Sequence, residues 1–371
     1  MKQIIIFILL LSGMLLNAEN KKKTGWESYQ LKGKVKEYSK ILYFGNKYEK
    51  STFKFDSNGN IIEKSRYNSD ENLKGKTEYK YDDKGNRTED VSYLADGRIE
   101  YKRTWKFDNM GRIIEVNFYI LKSPSPVLPS IHNVKSIFLY DSNGNIIESN
   151  HYQEELFESR GIGKYNNNGK LIESESFDAD GKSKGKTESK YDDMGNMIES
   201  KTFNADGKLK SHIISKYNNN GKLIESESFD ADGKSKGKTE YKYDDMGNII
   251  ESKSFNADGK LKSHDINKYN NNGKLIENTS FNEGSYGSRM IYDENGEMIE
   301  HYTDGKLQIK NIIKYDENKN IIEFIEKEAN GDILGISQYL YDKNQNRFQY
   351  IRFNYYGLLI DFEQYKYIYY E

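Results

Sequence analysis

The sequence predicts an all-β protein. It reads as a long antiparallel meander of β-hairpin repeats, each about 26 residues with two strands, forming a curled sheet, a shell or a superhelix. Three observations predict this. An aromatic residue stands four positions before a glycine again and again along the chain. Each period holds two Asp/Asn-to-Gly turns. The composition is rich in Tyr and poor in aliphatic mass.

The spacing comes first. Phe55/Gly59, Tyr81/Gly85, Phe107/Gly111, Tyr140/Gly144, Tyr165/Gly169, Tyr191/Gly195, Tyr217/Gly221, Tyr243/Gly247, Tyr269/Gly273 and Tyr292/Gly296 all fit it. Tyr315 and Tyr341 extend the series with Lys319 and Gln345 in the glycine place. Residues 164–215 and 216–267 are nearly identical, which marks duplication of a two-repeat unit. A glycine turn every 13 residues or so leaves no room for a long helical stripe.

The turns follow. Asp244-Asp245-Met246-Gly247 and Asn256-Ala257-Asp258-Gly259 both open on Asp or Asn and close on Gly. That is the signature of a type I turn with a left-handed glycine, its first side chain bonding the backbone two residues on. If Asp244 pairs with Asn248, Tyr243 faces Ile249 and Tyr241 faces Glu251. If Asn256 pairs with Lys260, Phe255 faces Leu261. Period-two alternation then places Tyr241, Tyr243, Ile249, Phe255, Leu261 and Tyr269 on one face, and Glu240, Lys242, Ile250, Ser252, Ser254 and Lys262 on the other. A Glu recurs once per repeat (Glu63, Glu89, Glu115, Glu173, Glu199, Glu225, Glu251 and Glu277 among them), and this register puts it on the aromatic face, bonded to a Tyr hydroxyl or a neighbouring Lys.

The chain divides accordingly. Residues 1–18, with an apolar run from Ile4 to Leu16 too short for a membrane span, read as a signal peptide cleaved near Ala18. Residues 19–54 hold a mobile lead and a degenerate first hairpin with Gly45-Asn46 at its turn. Residues 55–356 are the repeat array, with an insertion at 120–135 that contains Pro124, Pro126 and Pro129. Residues 357–371, dense in aromatics, read as a cap on the last strand edge. The expected localisation is therefore exported: periplasmic, cell-surface or secreted.

Composition excludes several function classes. With 56 basic and 58 acidic residues interspersed, there is no basic footprint for nucleic acid. Zero Cys removes disulfides, thiolate metal sites and cysteine nucleophiles. No membrane span is expected in the mature chain, and Lys and Glu on both strand faces argue against a membrane barrel. His132, His151, His212, His264 and His301 show no metal-ligand spacing. No nucleophile elbow or phosphate loop occurs, so no catalytic residue, metal or cofactor is expected and the chain reads as a non-enzyme. The remaining candidates are aromatics that stack on a ligand: Tyr79, Tyr101 and Trp105, next to Phe107 in the bulkiest stretch of the array.

Tyr241-Lys-Tyr243-Asp244-Asp-Met-Gly247-Asn248, Tyr79-Lys-Tyr81-Asp82-Asp-Lys-Gly85-Asn86 and Tyr140-Asp-Ser-Asn-Gly144-Asn145 resemble the YD repeats of Rhs-type cell-surface proteins. A weaker resemblance is to MORN-like repeats. The YD resemblance covers about Phe55 to Tyr350. It implies a β-sheet shell at the cell surface, linked to carbohydrate binding or to encasing a toxin. The expected function is a surface or periplasmic binding module for carbohydrate or protein, with a glycan or a surface protein as partner. The alternative is a purely structural envelope protein that provides length and spacing.

Overall fold

The computed structural model describes residues 23–44, 47–120, 133–283 and 285–370. The signal peptide, the Gly45-Asn46 turn, the three prolines and His132 lie outside the described residues.

A short helix α1 (Gly25–Ser28) precedes 26 strands, numbered in chain order from β1 (Val35–Phe44) to β26 (Leu359–Tyr369). All belong to one antiparallel sheet, and each strand pairs with the next one in sequence. The sheet does not stay open as a curled sheet or superhelix: β26 pairs with β1 from Tyr43↔Phe362 to Val35↔Tyr369, closing it into a barrel. The strand edge expected to end at a cap is thus taken by β1, which removes every free edge.

The physical cause of closure lies in the turns. At the first turn Gly247 donates its N–H to Asp244 O (3.0 Å), Asp244 N–H donates to Asn248 O (3.0 Å), and Asn248 N–H donates to Asp244 Oδ1 (2.8 Å). Gly247 sits at φ +85°, as a left-handed turn position requires. Immediately beyond the turn the register slips: Tyr243 pairs with Ile249, but Lys242 pairs with Glu251. A bulge of this kind recurs at both ends of the hairpins, as between Ser254 and Phe255. Bulges bend a strand and raise its twist. Repeated through the array, they curl the sheet onto itself.

The same slips correct the predicted faces. Tyr241 pairs with Ser252, not with Glu251. Tyr241, Thr239, Ser252 and Ser254 therefore share one face, and Lys242, Glu251, Lys253 and Phe255 share the other. We call them the hydroxyl face and the charged face. The recurrent Glu is on the charged face, and Lys is its usual partner: Glu251 meets Lys242 at 2.6 Å and Lys253 at 2.9 Å, and Glu199 meets Lys190 at 2.6 Å and Lys201 at 3.0 Å. The recurrent Tyr has a different task. Tyr81, Tyr191, Tyr217, Tyr243, Tyr269 and Tyr341 each donate their hydroxyl to the backbone carbonyl twenty residues earlier (Ile61, Leu171, Met197, Leu223, Ile249 and Ile321), which staples each repeat to the one before.

The barrel is single-walled. Apart from a few weak contacts, strand backbones meet only their ladder neighbours, and all the described strands belong to one sheet. Twenty-six strands spaced about 4.8 Å apart give a perimeter of about 125 Å, which if round is about 40 Å across. Strand tilt widens it further. Among the described residues buried apolar side chains are few, and five of the eight (Val35, Tyr38, Phe53, Phe55 and Tyr365) form one cluster at the β1–β26 seam. Elsewhere the ladder, the Tyr staples and the ion pairs carry the fold.

Two glycines separate turn strain from packing. Gly207 is at φ +74° with open space around it, whereas Gly59 is at φ +84° and a Cβ there would lie 2.6 Å from the Trp26 ring. Gly207→Ala is expected to cost about 1 kcal/mol from positive φ alone, and Gly59→Ala distinctly more, because Trp26 must move as well. Urea midpoints of the two variants check this; equal losses would contradict it.

Candidate functional site

The candidate aromatics lie on β4 (Leu73–Tyr81) and β6 (Ile99–Phe107), separated by β5 (Arg87–Leu94). Register places Tyr79 opposite Asp90, Asp90 opposite Arg103, and Arg103 opposite Phe118 of β7 (Ile113–Ile120). Period-two alternation puts Tyr101 and Trp105 on the same face as Arg103. Tyr79, Tyr101 and Trp105 are thus brought into one patch of the hydroxyl face.

Two guanidiniums organise that patch. Arg87 lies between the Tyr79 and Trp105 rings, its Cζ 5.0 and 4.9 Å from their centres. Arg103 lies over Tyr101 (5.4 Å), Trp105 (5.6 Å) and Phe118 (6.0 Å). Both reach one carboxylate. Arg87 Nη2 donates to Asp90 Oδ2 at 2.8 Å; Arg103 donates through Nε to Oδ1 (3.1 Å) and through Nη2 to Oδ2 (2.6 Å). Asp90 is wholly buried, 0% exposed. A planar guanidinium can stack on a ring while its edge grips a carboxylate, which a lysine ammonium cannot do. Trp105 is therefore clasped by two cations, while Tyr79 and Tyr101 also line an adjoining groove.

That groove has a volume of about 220 Å³. Besides Tyr79 and Tyr101 it is lined by Thr77, Ser92, Lys64 and Arg66. Ser92 donates its hydroxyl to Glu100 Oε2 at 3.0 Å. Burial pushes the Tyr79 hydroxyl above its ordinary pKa, so it stays protonated at neutral pH. The groove offers hydroxyls, two aromatic rings, the cations of Lys64, Arg66 and Lys76, and the Glu100 carboxylate. It offers no aligned nucleophile and base.

The histidines disperse. His212 Nε2 meets Glu199 Oε1 at 2.8 Å and His264 Nε2 meets Glu251 Oε1 at 2.7 Å, both on the charged face. His151 Nδ1 meets Ser136 Oγ at 2.9 Å, and burial lowers its pKa. His301 Nε2 is 3.3 Å from Ser288 Oγ. Among the described residues no three His, Asp or Glu side chains gather as metal ligands would, and no helix is long and apolar enough to cross a membrane.

Arg87, Asp90 and Arg103 were not singled out from the sequence, though a signal existed. They stand where the two copies of the duplicated unit carry Met197 and Ile249, Ser200 and Ser252, and Ile213 and Asp265. The cross-strand pair is the same in both places: Ser252 donates to Asp265 Oδ2 at 3.2 Å, where Asp90 and Arg103 form an ion pair. A departure of charge from the repeat consensus marked the site.

No protein-family model matches this chain, and no curated protein does. Among solved structures, the TcdB2–TccC3 complex aligns with 86% of this chain and 25% of its own, at 11% identity and a TM-score of 0.28. A Photorhabdus luminescens Tc holotoxin pore aligns with 94% of this chain and 20% of its own, at 12% identity and a TM-score of 0.26. A porin-like protein from Bacteroides vulgatus aligns with 90% of this chain and 98% of its own, at 10% identity and a TM-score of 0.20. The chain spans about a quarter of the toxin chain's length.

Proposed function

We propose that this is an exported, non-enzymatic YD-like repeat protein that binds carbohydrate at the cell surface or in the periplasm. One observation carries the reading: Tyr79 and Tyr101 flank a groove that also presents Thr77 and Ser92. Flat rings beside hydroxyls suit a sugar, whose apolar ring face stacks while its edge hydrogen-bonds. Trp105 holds the wall in place through Arg87 and Arg103. Both sheet faces carry polar side chains, which supports an aqueous setting over a lipid one.

The test is a glycan array probed with residues 19–371, followed by titration of any hit. Tyr101→Ala is expected to weaken binding about three- to tenfold, the worth of one ring contact. A folded protein that binds no glycan would move the weight to a protein partner or to the structural reading. That second reading is favoured by the single wall, in which each added hairpin enlarges the ring without disturbing distant strands. Closure changes its content: repeat number then sets a perimeter instead of a length.

A further inference from the structure

We infer that the barrel is latched: the segment Thr24–Lys34 is a strap that holds the β1–β26 seam shut, and the ring opens at this seam before it opens anywhere else. Among the described strands, β1–β26 is the one pairing between strands not consecutive in sequence. Other joints stay tethered by the chain when their ladders loosen. This one separates freely, and closing it means bringing together segments more than three hundred residues apart, at the loop-closure entropy that implies. Something other than the covalent chain must hold it.

The strap and the residues around it are built for that. A capping box at Thr24 and Glu27 starts α1 and sets the direction of the segment. Trp26 N–H donates to Gly59 O (3.3 Å), its Nε1 donates to Val35 O (2.6 Å), and its ring lies edge-on to Tyr370. Tyr370 in turn donates its hydroxyl to Phe55 O at 2.5 Å. The first and last repeats are thereby tied through one Trp.

The other end of the strap is gripped by Asn346. In the middle repeats the Asn at this place is used locally: Asn86, Asn145, Asn196, Asn248 and Asn320 each donate Nδ2 to the Asp four residues before. Asn346 instead accepts Lys32 N–H at Oδ1 (2.7 Å) and donates Nδ2 to Lys32 O (2.7 Å) and to the Tyr369 hydroxyl (2.9 Å). Asp342, released from that pairing, accepts the Tyr369 hydroxyl at 2.5 Å. Among the described turns that carry this Asp and Asn, the Asn leaves its Asp only here, where the ring closes. The one core cluster among the described residues sits at the same place, with Trp26, Leu31 and Tyr367 packed on it. Where a loose lead was expected, the chain from Thr24 onward is docked. Opening would free two strand edges and expose the wall between them.

Hydrogen exchange on the full mature chain tests this. Trp26→Ala and, as a milder variant, Asn346→Asp are expected to speed amide exchange about tenfold or more in β1 and β26, with residues 235–269 unchanged. Asn248→Asp, the same change in a middle repeat, should leave the seam at wild-type rates. The proposal is overturned if both seam variants keep wild-type protection in β1 and β26, or if all strands accelerate together.

Discussion

Asp90→Ala is expected to destabilise the protein by about 3 kcal/mol, the low end for breaking a buried ion pair. The carboxylate is fully buried and bonded to two guanidiniums, which keep side-chain exposures of 36% for Arg87 and 26% for Arg103. Removing it leaves two like charges facing each other across the space it filled, each still stacked on aromatic rings. Partial contact with water limits the penalty, which is why the low end is expected. Asp90→Asn should cost less, since the amide keeps an acceptor and the shape. Replacing all three residues together (Asp90→Leu, Arg87→Met and Arg103→Met) should restore most of the loss, because a buried charge network often does no better than apolar packing of like volume. Chemical denaturation of the three variants measures it. If Asp90→Ala unfolds at the wild-type midpoint, the triad contributes nothing and Tyr79, Tyr101 and Trp105 are held by packing alone. In a quasi-one-dimensional array the damage should stay near β4 to β7.

The triad also shows where sequence reading reached and where it stopped. Strand count per repeat, both turns and the left-handed glycines were legible, because each depends on residues within five positions of one another. The faces were not. The bulge beside each turn is a backbone event at Ile249 and Ile250, and isoleucine fits a regular strand as well as a bulged one. A one-residue slip flips every side chain beyond it, so Glu251 was assigned to the wrong face and the Glu–Lys layer was only half anticipated. Closure was illegible for another reason. The pairing of Tyr38 with Tyr367 joins segments far apart in sequence, and no local signal says that the ends meet. The aromatics of the candidate site were visible as bulky outliers, but their organiser, Asp90, looked like one more acidic residue among 58.

Acid should unfold the barrel through the charged face. Lys190 and Lys201 bond Glu199, with His212 added, and hold its pKa down to about 2. Lys242 and Lys253, with His264, hold Glu251 down to about 2 as well. Glu89, Glu173, Glu225 and Glu277 are depressed by their own Lys or Arg partners. In the unfolded chain these groups return to the ordinary value of 4.5. Below that pH the unfolded state binds more protons than the folded one, so stability falls as pH falls. The contribution is intact above about pH 5, declines through 4.5, and is gone once the folded-state value near 2 is passed. Each pair is largely solvated and individually weak, but the layer recurs around the ring and its members titrate in one window. Unfolding midpoints should therefore drop steeply below 4.5, after a smaller decline below about 6.5, where the unfolded chain protonates the His151 imidazole that burial keeps neutral. The drop should shrink in high salt, which screens solvated pairs. Glu199→Gln with Glu251→Gln should lower stability at pH 7 and flatten the acid limb. An acid limb unchanged by those substitutions would place the proton-sensitive groups elsewhere, at the turn aspartates, whose pKa values are lowered by the Asn and backbone N–H groups they accept from, as Asp192 and Asp244 are.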